Sequence, residues 1–311
     1  MENKYHAPVM LAECLAALQI KPNGRYVDVT FGGGGHSRAI LNALGPMGVL
    51  IAFDQDEDAK ANLPQDNRLV FIDQNFEFLQ NHLAYQDMLP VDGILADLGV
   101  SSHQFDVADR GFSFRFDEAD LDMRMNAADQ KEQAGALHAS GILNTYTEPQ
   151  LADMFYQYGE LHNARALASD ISQFRSVRPI EKVAHLKEAL KRHTPKFGDY
   201  KFFAQVFQAL RIEVNREMEV LKSFLSAVPN VLAPEGRLVV MSYHSLEDRL
   251  VKNFIASGNF NGDVEKDFFG NVNKPLLGIT RKVVTASPEE LERNPRSRSA
   301  KLRVAQKPIA S

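Results

Sequence analysis

Residues 26–37 read YVDVTFGGGGHS, and the fold follows from this stretch. A short β-prone run ends at an acidic residue, Asp28. Four consecutive glycines, Gly32 to Gly35, then lead into a helix start near His36. Glycine tolerates positive φ and carries no Cβ, so such a turn lets backbone N–H groups approach a polar ligand at a helix N-terminus. Two common phosphate loops do not fit. The dinucleotide fingerprint needs a third glycine at Ser37 or Arg38, and the nucleotide-triphosphate loop needs a Gly-Lys-Ser/Thr that is absent.

Outward from this loop, RYVDVT (25–30), VLIAF (49–53), RLVFI (68–72) and VDGILADL (91–98) are separated by stretches long enough for crossover helices. The runs are nearly continuous in apolar residues, as in parallel strands covered on both faces. The expectation is an α/β fold, a doubly wound Rossmann-like sheet. Residues 111–202 turn to helical periodicity, in QLADMFYQYGEL (150–161), ARALASDISQF (164–174) and VAHLKEALKRH (183–193). They read as an inserted helical domain, with 1–110 and 203–311 forming the sheet domain. FAQVFQALRIEVNREMEVLKSFL (203–225) reads as one long amphipathic helix, and EGRLVVMSYHSLEDRLVKNF (235–254) as turn, strand, loop and helix with Ser245 as its N-cap and Asp248 three residues on. ITRKVVTA (279–286) and AKLRVAQ (300–306) are two further strand expectations, joined by a loop in which Ser287 opens a capping box.

Composition bounds the function. The chain has 311 residues, 44% of them hydrophobic, and a single cysteine, Cys14. One cysteine excludes an internal disulfide framework and a multi-cysteine metal site, and the expected compartment is the cytoplasm. No membrane span and no metal are expected. The formal charge of -5 gives no global sign of nucleic-acid binding, but residues 281–307 hold eight Lys or Arg against three Glu.

Asp54 closes the second strand where a carboxylate would accept both hydroxyls of a ribose, and Asp97 ends the strand beside the presumed switch point. Asp28, Asp54 and Asp97 are thus expected along one rim. Carboxylates suit a cationic sulfonium, whereas a phosphate cofactor would call for Lys or Arg. S-adenosylmethionine is the cofactor that this reading favours.

The chain resembles the RsmH/MraW methyltransferases, which methylate N4 of a cytosine in the decoding region of 16S ribosomal RNA. The likeness rests on HAPVML (6–11), DVTFGGGGHS (28–37), DGILADLGVSS (92–102), RGFSFR (110–115), LDMRM (121–125), FQALRIEVNREME (207–219), SYHSLEDRLVK (242–252) and NPRSRSAKLRVA (294–305). It implies a class I methyltransferase fold, cofactor contacts at Gly34, Gly35, His36, Asp54, Phe76, Asp97 and Gln104, and the small ribosomal subunit or a late assembly intermediate as partner. Whether a homodimer forms is left open. Two stretches depart from the family pattern: Gly33 stands where a larger residue is usual, and YGELHNAR (158–165) lacks the usual pair of charged residues after the glutamate.

Cytosine N4 is a poor nucleophile, so an enzyme must orient the amine and accept its hydrogens. The expected catalytic residues are Asp97, Ser101, Ser102 and His244, with the carbonyls of Leu98 and Gly99 as further acceptors. The base must leave its stack. Phe112, Phe114, Arg115 and Arg124 are the candidates to receive it, with Arg296 and Arg298 on the phosphates. Competing readings are a methyltransferase for another RNA, a protein or a small molecule, and a non-catalytic relative that docks on ribosomes.

Overall fold

The computed structural model describes residues 8–126, 137–266, 268, 270, 272, 274–280 and 282–309, with the side chains of Ser102 and Asp109 left aside. The chain divides into two compact units, residues 1–99 with 218–311 and residues 100–217.

In the first unit, α1 (Leu11–Leu18) precedes β1 (Arg25–Asp28), α2 (Gly35–Ala43), β2 (Val49–Asp54), β3 (Leu69–Asp73), α3 (Leu79–Tyr85) and β4 (Val91–Asp97). Successive strand residues point to opposite faces of a sheet, and both faces are apolar here. Val27, Ile51, Phe53, Ile94 and Ala96 belong to one buried cluster, while Tyr26, Leu50 and Leu95 belong to another. This double burial is why the runs read as continuous rather than alternating.

The second unit contains α4 (Ser102–Asp106), α5 (Ala139–Thr145), α6 (Glu148–Gln157), α7 (Ala164–Val177), α8 (Val183–Ala189) and α9 (Asp199–Asn215). Its core joins Phe112 and Leu121 to Leu151, Phe155, Leu167, Ile171 and Leu186, and extends to Phe203, Val206, Phe207 and Leu210 of α9. Because α9 contributes those side chains, this unit continues past residue 202 to Glu217.

The chain returns to the sheet through α10 (Glu217–Val231), β5 (Leu232–Ser242), α11 (Ser245–Ser257), β6 (Leu277–Gly278), α12 (Pro288–Arg293) and β7 (Lys301–Gln306). Among the described residues the sheet has seven strands in the order β3-β2-β1-β4-β5-β7-β6. The pairs among β1 to β5 are parallel, and β7 is antiparallel to β5. Residues of α1 and α2 pack with one sheet face, and residues of α3, α10 and α11 with the other. This is the expected doubly wound α/β sheet, with helices on both faces.

Three local expectations need correction. Residues 203–225 form two helices, because Arg216 adopts φ 50° between α9 and α10. ITRKVVTA is not a strand: Val284 makes only an isolated bridge to Leu302, Arg281 lies outside the described residues, and it is Leu277–Gly278 that pairs with β7. The N-cap of α11 is His244, with Glu247 accepting from the backbone N–H of Tyr243 and His244 at 2.8 and 3.4 Å. Asp248 instead pairs with Arg303 at 2.6 Å. Ser287 does cap α12, accepting from Glu290 N–H at 3.2 Å. No helix among the described residues is long and apolar enough to cross a membrane.

Candidate functional site

The glycine loop is held from three sides. Gly32 and Gly34 take φ values of 50° and 72°, which L side chains rarely adopt. The Asp54 carboxylate accepts from Gly32 N–H at 2.7 Å and from Asp56 N–H at 2.9 Å. Arg38 donates to the Gly33 carbonyl at 2.7 Å and to the Asn62 carbonyl at 2.6 Å. Pro8 packs over the helix start, since a Cβ on Gly35 would lie 2.7 Å from its Cγ.

Asp28 does not stand on the rim. It is 1% exposed and accepts from Ser37 Oγ at 2.7 Å and Thr30 N–H at 3.1 Å, so it pins the first turn of α2 beneath the loop. Burial raises its carboxyl above the usual range, against the Ser37 hydrogen bond. Asp54 is pushed up to about 6 by burial, opposed by the N–H groups of Asp56 and Gly32. An acid with such an environment changes charge over a range close to working pH.

Asp97 ends β4 with its carboxylate 23% exposed. Tyr243 Oη donates to Oδ1 at 2.6 Å, and His36 Nδ1 stands 3.7 Å from Oδ2. Burial pushes Asp97 to about 6, while His36 and the Tyr243 hydrogen bond pull the other way. His36 is itself positioned: its Nε2 lies 3.1 Å from the Val9 carbonyl. A carbonyl only accepts, so Nε2 donates to it, and Nδ1 is the nitrogen turned to Asp97.

Tyr243 was absent from the sequence-based candidates. The usable signal was register: Asp97 pairs with Met241 across parallel β4 and β5, so the residue two beyond Met241 flanks the carboxylate. Burial and the Asp97 charge raise the Tyr243 phenol well above its ordinary value, leaving it a donor at any working pH. His244, by contrast, is 8% exposed with Nε2 3.2 Å from Glu247 Oε1. Phe76 stands edge-on to Phe224 with centroids 5.4 Å apart.

The candidates in the helical unit fare differently. Ser101 caps α4, accepting from Gln104 N–H at 3.2 Å while Gln104 Oε1 accepts from Ser101 N–H at 2.9 Å. The Ser102 side chain lies outside the described residues; its backbone opens α4. Phe112 is 3% exposed in the core and carries Arg110 over its ring. Phe114 packs against Tyr200, Phe203 and Phe207. Arg124 is 15% exposed and binds Asp122 through two bonds of 2.9 and 2.6 Å, so its fork is already committed. Arg115 remains 59% exposed, reaching Asp106 at 3.5 Å. Arg296 and Arg298 are exposed on the short turn after α12.

With this geometry in place, similarity to known proteins is informative. The MraW methylase family matches residues 3–308. A protein of Parabacteroides distasonis named Ribosomal RNA small subunit methyltransferase H is 56% identical over 99% of this chain and 100% of its own length. Proteins of the same name from Bacteroides fragilis and Flavobacterium johnsoniae are 54% and 53% identical, each over 98% of both chains.

Proposed function

The chain belongs to the MraW methylase family, and from that premise we propose that it methylates N4 of a cytosine in the decoding region of 16S ribosomal RNA. The methyl donor is S-adenosylmethionine, and the substrate is the small subunit or a late assembly intermediate in the cytoplasm. The observation that carries the catalytic part is the partly exposed Asp97 carboxylate, fixed by Tyr243 at 2.6 Å beyond a glycine-rich turn. The ribosomal part rests on the relatives, which match over almost their whole length.

The residues suit a sulfonium nucleoside. Asp54 and Asp97 are both carboxylates at strand ends, and the nearest guanidinium in the loop, Arg38, is already spent on two backbone carbonyls. The glycine turn leaves no Cβ at four successive positions, which suits close approach of a nucleoside to backbone. When bound, S-adenosylmethionine supplies a methyl group activated by a positive sulfur. Asp54 takes the ribose hydroxyls, Phe76 flanks the base, and Gln104 contributes a further contact.

Asp97 is ionised near neutrality, because its carboxyl sits at about 6. It accepts a hydrogen of the target amine and holds the nitrogen lone pair in line. The carbonyls of Leu98 and Gly99, Ser101 and His244 complete the acceptors and proton-carrying groups. Alignment contributes roughly 7 to 11 kcal/mol, whereas a general base adds about 10²- to 10⁴-fold, or roughly 3 to 5 kcal/mol. Positioning therefore dominates, and a rigid Asp97 matters more than a strongly basic one. Arg115, Arg296 and Arg298 provide cations for RNA, and Phe114 an aromatic edge.

The test is transfer of labelled methyl to deproteinised 16S RNA and to small subunits, followed by digestion to nucleosides. Label in N4-methylcytidine is the expected result. Label elsewhere in RNA, in protein, or nowhere would overturn the assignment.

A further inference from the structure

In the helical unit an exposed stretch leads from α8 into the first turn of α9. Residues 191–201, KRHTPKFGDYK, hold four Lys or Arg against one Asp in a chain whose net charge is -5. Two aromatic residues stand out from it: Phe197 in the loop is 93% exposed, and Tyr200 in the first turn of α9 is 68% exposed. The loop is built at both ends. His193 Nε2 and Arg192 Nη2 reach Asp170 on α7 at 3.0 and 3.2 Å. On the other side Phe202 and Phe203 are buried in the helical core, and Tyr200 stacks edge-on against Phe114 at 5.0 Å. Gly198 turns the chain at φ 84°, with nothing within 4 Å of where a Cβ would be. Lys191, Lys196 and Lys201 are exposed.

Single exposed apolar side chains are ordinary. Two aromatics three positions apart, interleaved with lysines where a loop runs into the first turn of α9, keep most of their surface in solvent, Tyr200 giving up only the edge that meets Phe114. Unpaired RNA is the partner whose chemistry fits: bases stack on aromatic rings, and the backbone is held by cations. We propose that the 191–201 loop binds a single-stranded segment of the ribosomal RNA substrate, with Phe197 and Tyr200 stacking bases and Lys191, Lys196 and Lys201 taking phosphates. This rests on the rRNA reading above and assigns it a docking surface.

The experiment compares full-length protein with Phe197→Ala and with the double variant Lys191→Glu/Lys196→Glu, all at exposed positions. Binding of a fluorescein-labelled single-stranded fragment of 16S RNA is read by anisotropy across a salt series, beside methyl transfer to small subunits. Cofactor affinity by calorimetry and thermal melting confirm that each variant is folded. The expected result is about tenfold weaker RNA binding for either variant, and for the charge variant a salt slope shallower by roughly 1.4, from two lost phosphate contacts. If the variants bind RNA like the unaltered protein while methyl transfer proceeds, the loop assignment falls and the proposed function stands. If RNA binding depends on the loop but no RNA is methylated, the loop stands and the proposed activity falls. Absence of RNA binding, with anionic phosphatidylglycerol vesicles bound in its place, would overturn the loop assignment in favour of a lipid surface.

Discussion

Tyr243 Oη lies 2.6 Å from Asp97 Oδ1 although 146 positions separate them in the chain. A phenol buried beside a carboxylate keeps its proton, so this bond always points one way, from tyrosine to aspartate. It occupies one lone pair of Oδ1 and fixes the plane of the carboxylate. The opposite oxygen, Oδ2, faces His36 at 3.7 Å. The geometry of Asp97 is therefore set by two side chains, from the ends of different elements.

Tyr243→Phe removes the phenol and leaves the ring. Because this hydrogen bond pulls the Asp97 carboxyl down, its loss moves that carboxyl upward from about 6. The acid limb of the pH profile for methyl transfer should shift to higher pH by about one unit, corresponding to a hydrogen bond of roughly 1.4 kcal/mol. Rates measured from pH 5 to 9 check this. An unmoved acid limb would remove Tyr243 from any role in positioning Asp97.

Binding of a cationic cofactor should depend on pH in the same region. Asp54 and Asp97 have carboxyls raised by burial from 3.8 to about 6. A raised acid favours folding below 3.8, and that contribution is lost as pH rises through 6. The sulfonium reverses the preference, since it stabilises the ionised form and releases protons on binding. At pH 5 each carboxyl is ionised in about one molecule in eleven, so affinity should fall about tenfold per carboxylate engaged, relative to pH 7.5. Titration calorimetry at both values decides it, and equal affinities would exclude both residues from the site.

Asp97→Ala should abolish turnover and leave the fold in place. Its carboxylate is not a structural keystone: apart from Tyr243 and His36, its anchoring bond to Thr30 Oγ1 at 2.7 Å uses the backbone N–H, which alanine retains. Circular dichroism and thermal melting report the fold, and labelled methyl transfer reports activity. Activity within a few-fold of the unaltered protein would mean that the acceptor lies elsewhere.

The sheet was legible because its strands are covered on both faces, which forces long apolar runs such as VLIAF and GILADL. The helical unit was legible from periodicity. What escaped had no local mark. Arg216 breaks the helix with φ 50°, but neither glycine, asparagine nor proline announces the break, and both halves are amphipathic. Asp28 and Asp54 look alike as acidic strand ends; only Ser37, reaching back to Asp28 at 2.7 Å, makes one of them structural. That Phe114 packs against Phe203 and Phe207 was not readable either, since α9 brings them there from about ninety positions away. Tyr243 needed the β4–β5 pairing. In each case the deciding neighbour is distant in sequence or is a side chain whose direction the pattern does not give.

Two glycines in the helical unit separate backbone strain from steric clash. Gly111 and Gly198 both take positive φ, 70° and 84°, so alanine at either pays a left-handed penalty of roughly 1 to 2 kcal/mol. At Gly198 nothing stands within 4 Å of the added Cβ. At Gly111 that Cβ would collide with the Asp120 carbonyl oxygen and meet Asp122 N at 3.0 Å. Backbone cannot yield cheaply there: Leu121 N–H and Met123 N–H are bonded to Glu181 and Arg110 carbonyls at 2.8 and 3.0 Å, and both side chains are buried. Urea denaturation should therefore show Gly198→Ala losing about 1 kcal/mol and Gly111→Ala losing more than about 3 kcal/mol, as expected when a core segment is displaced. Equal losses would mean that the 120–122 segment moves freely, and the strand-like bridge between Asp120 and Lys182 would then contribute little to holding it.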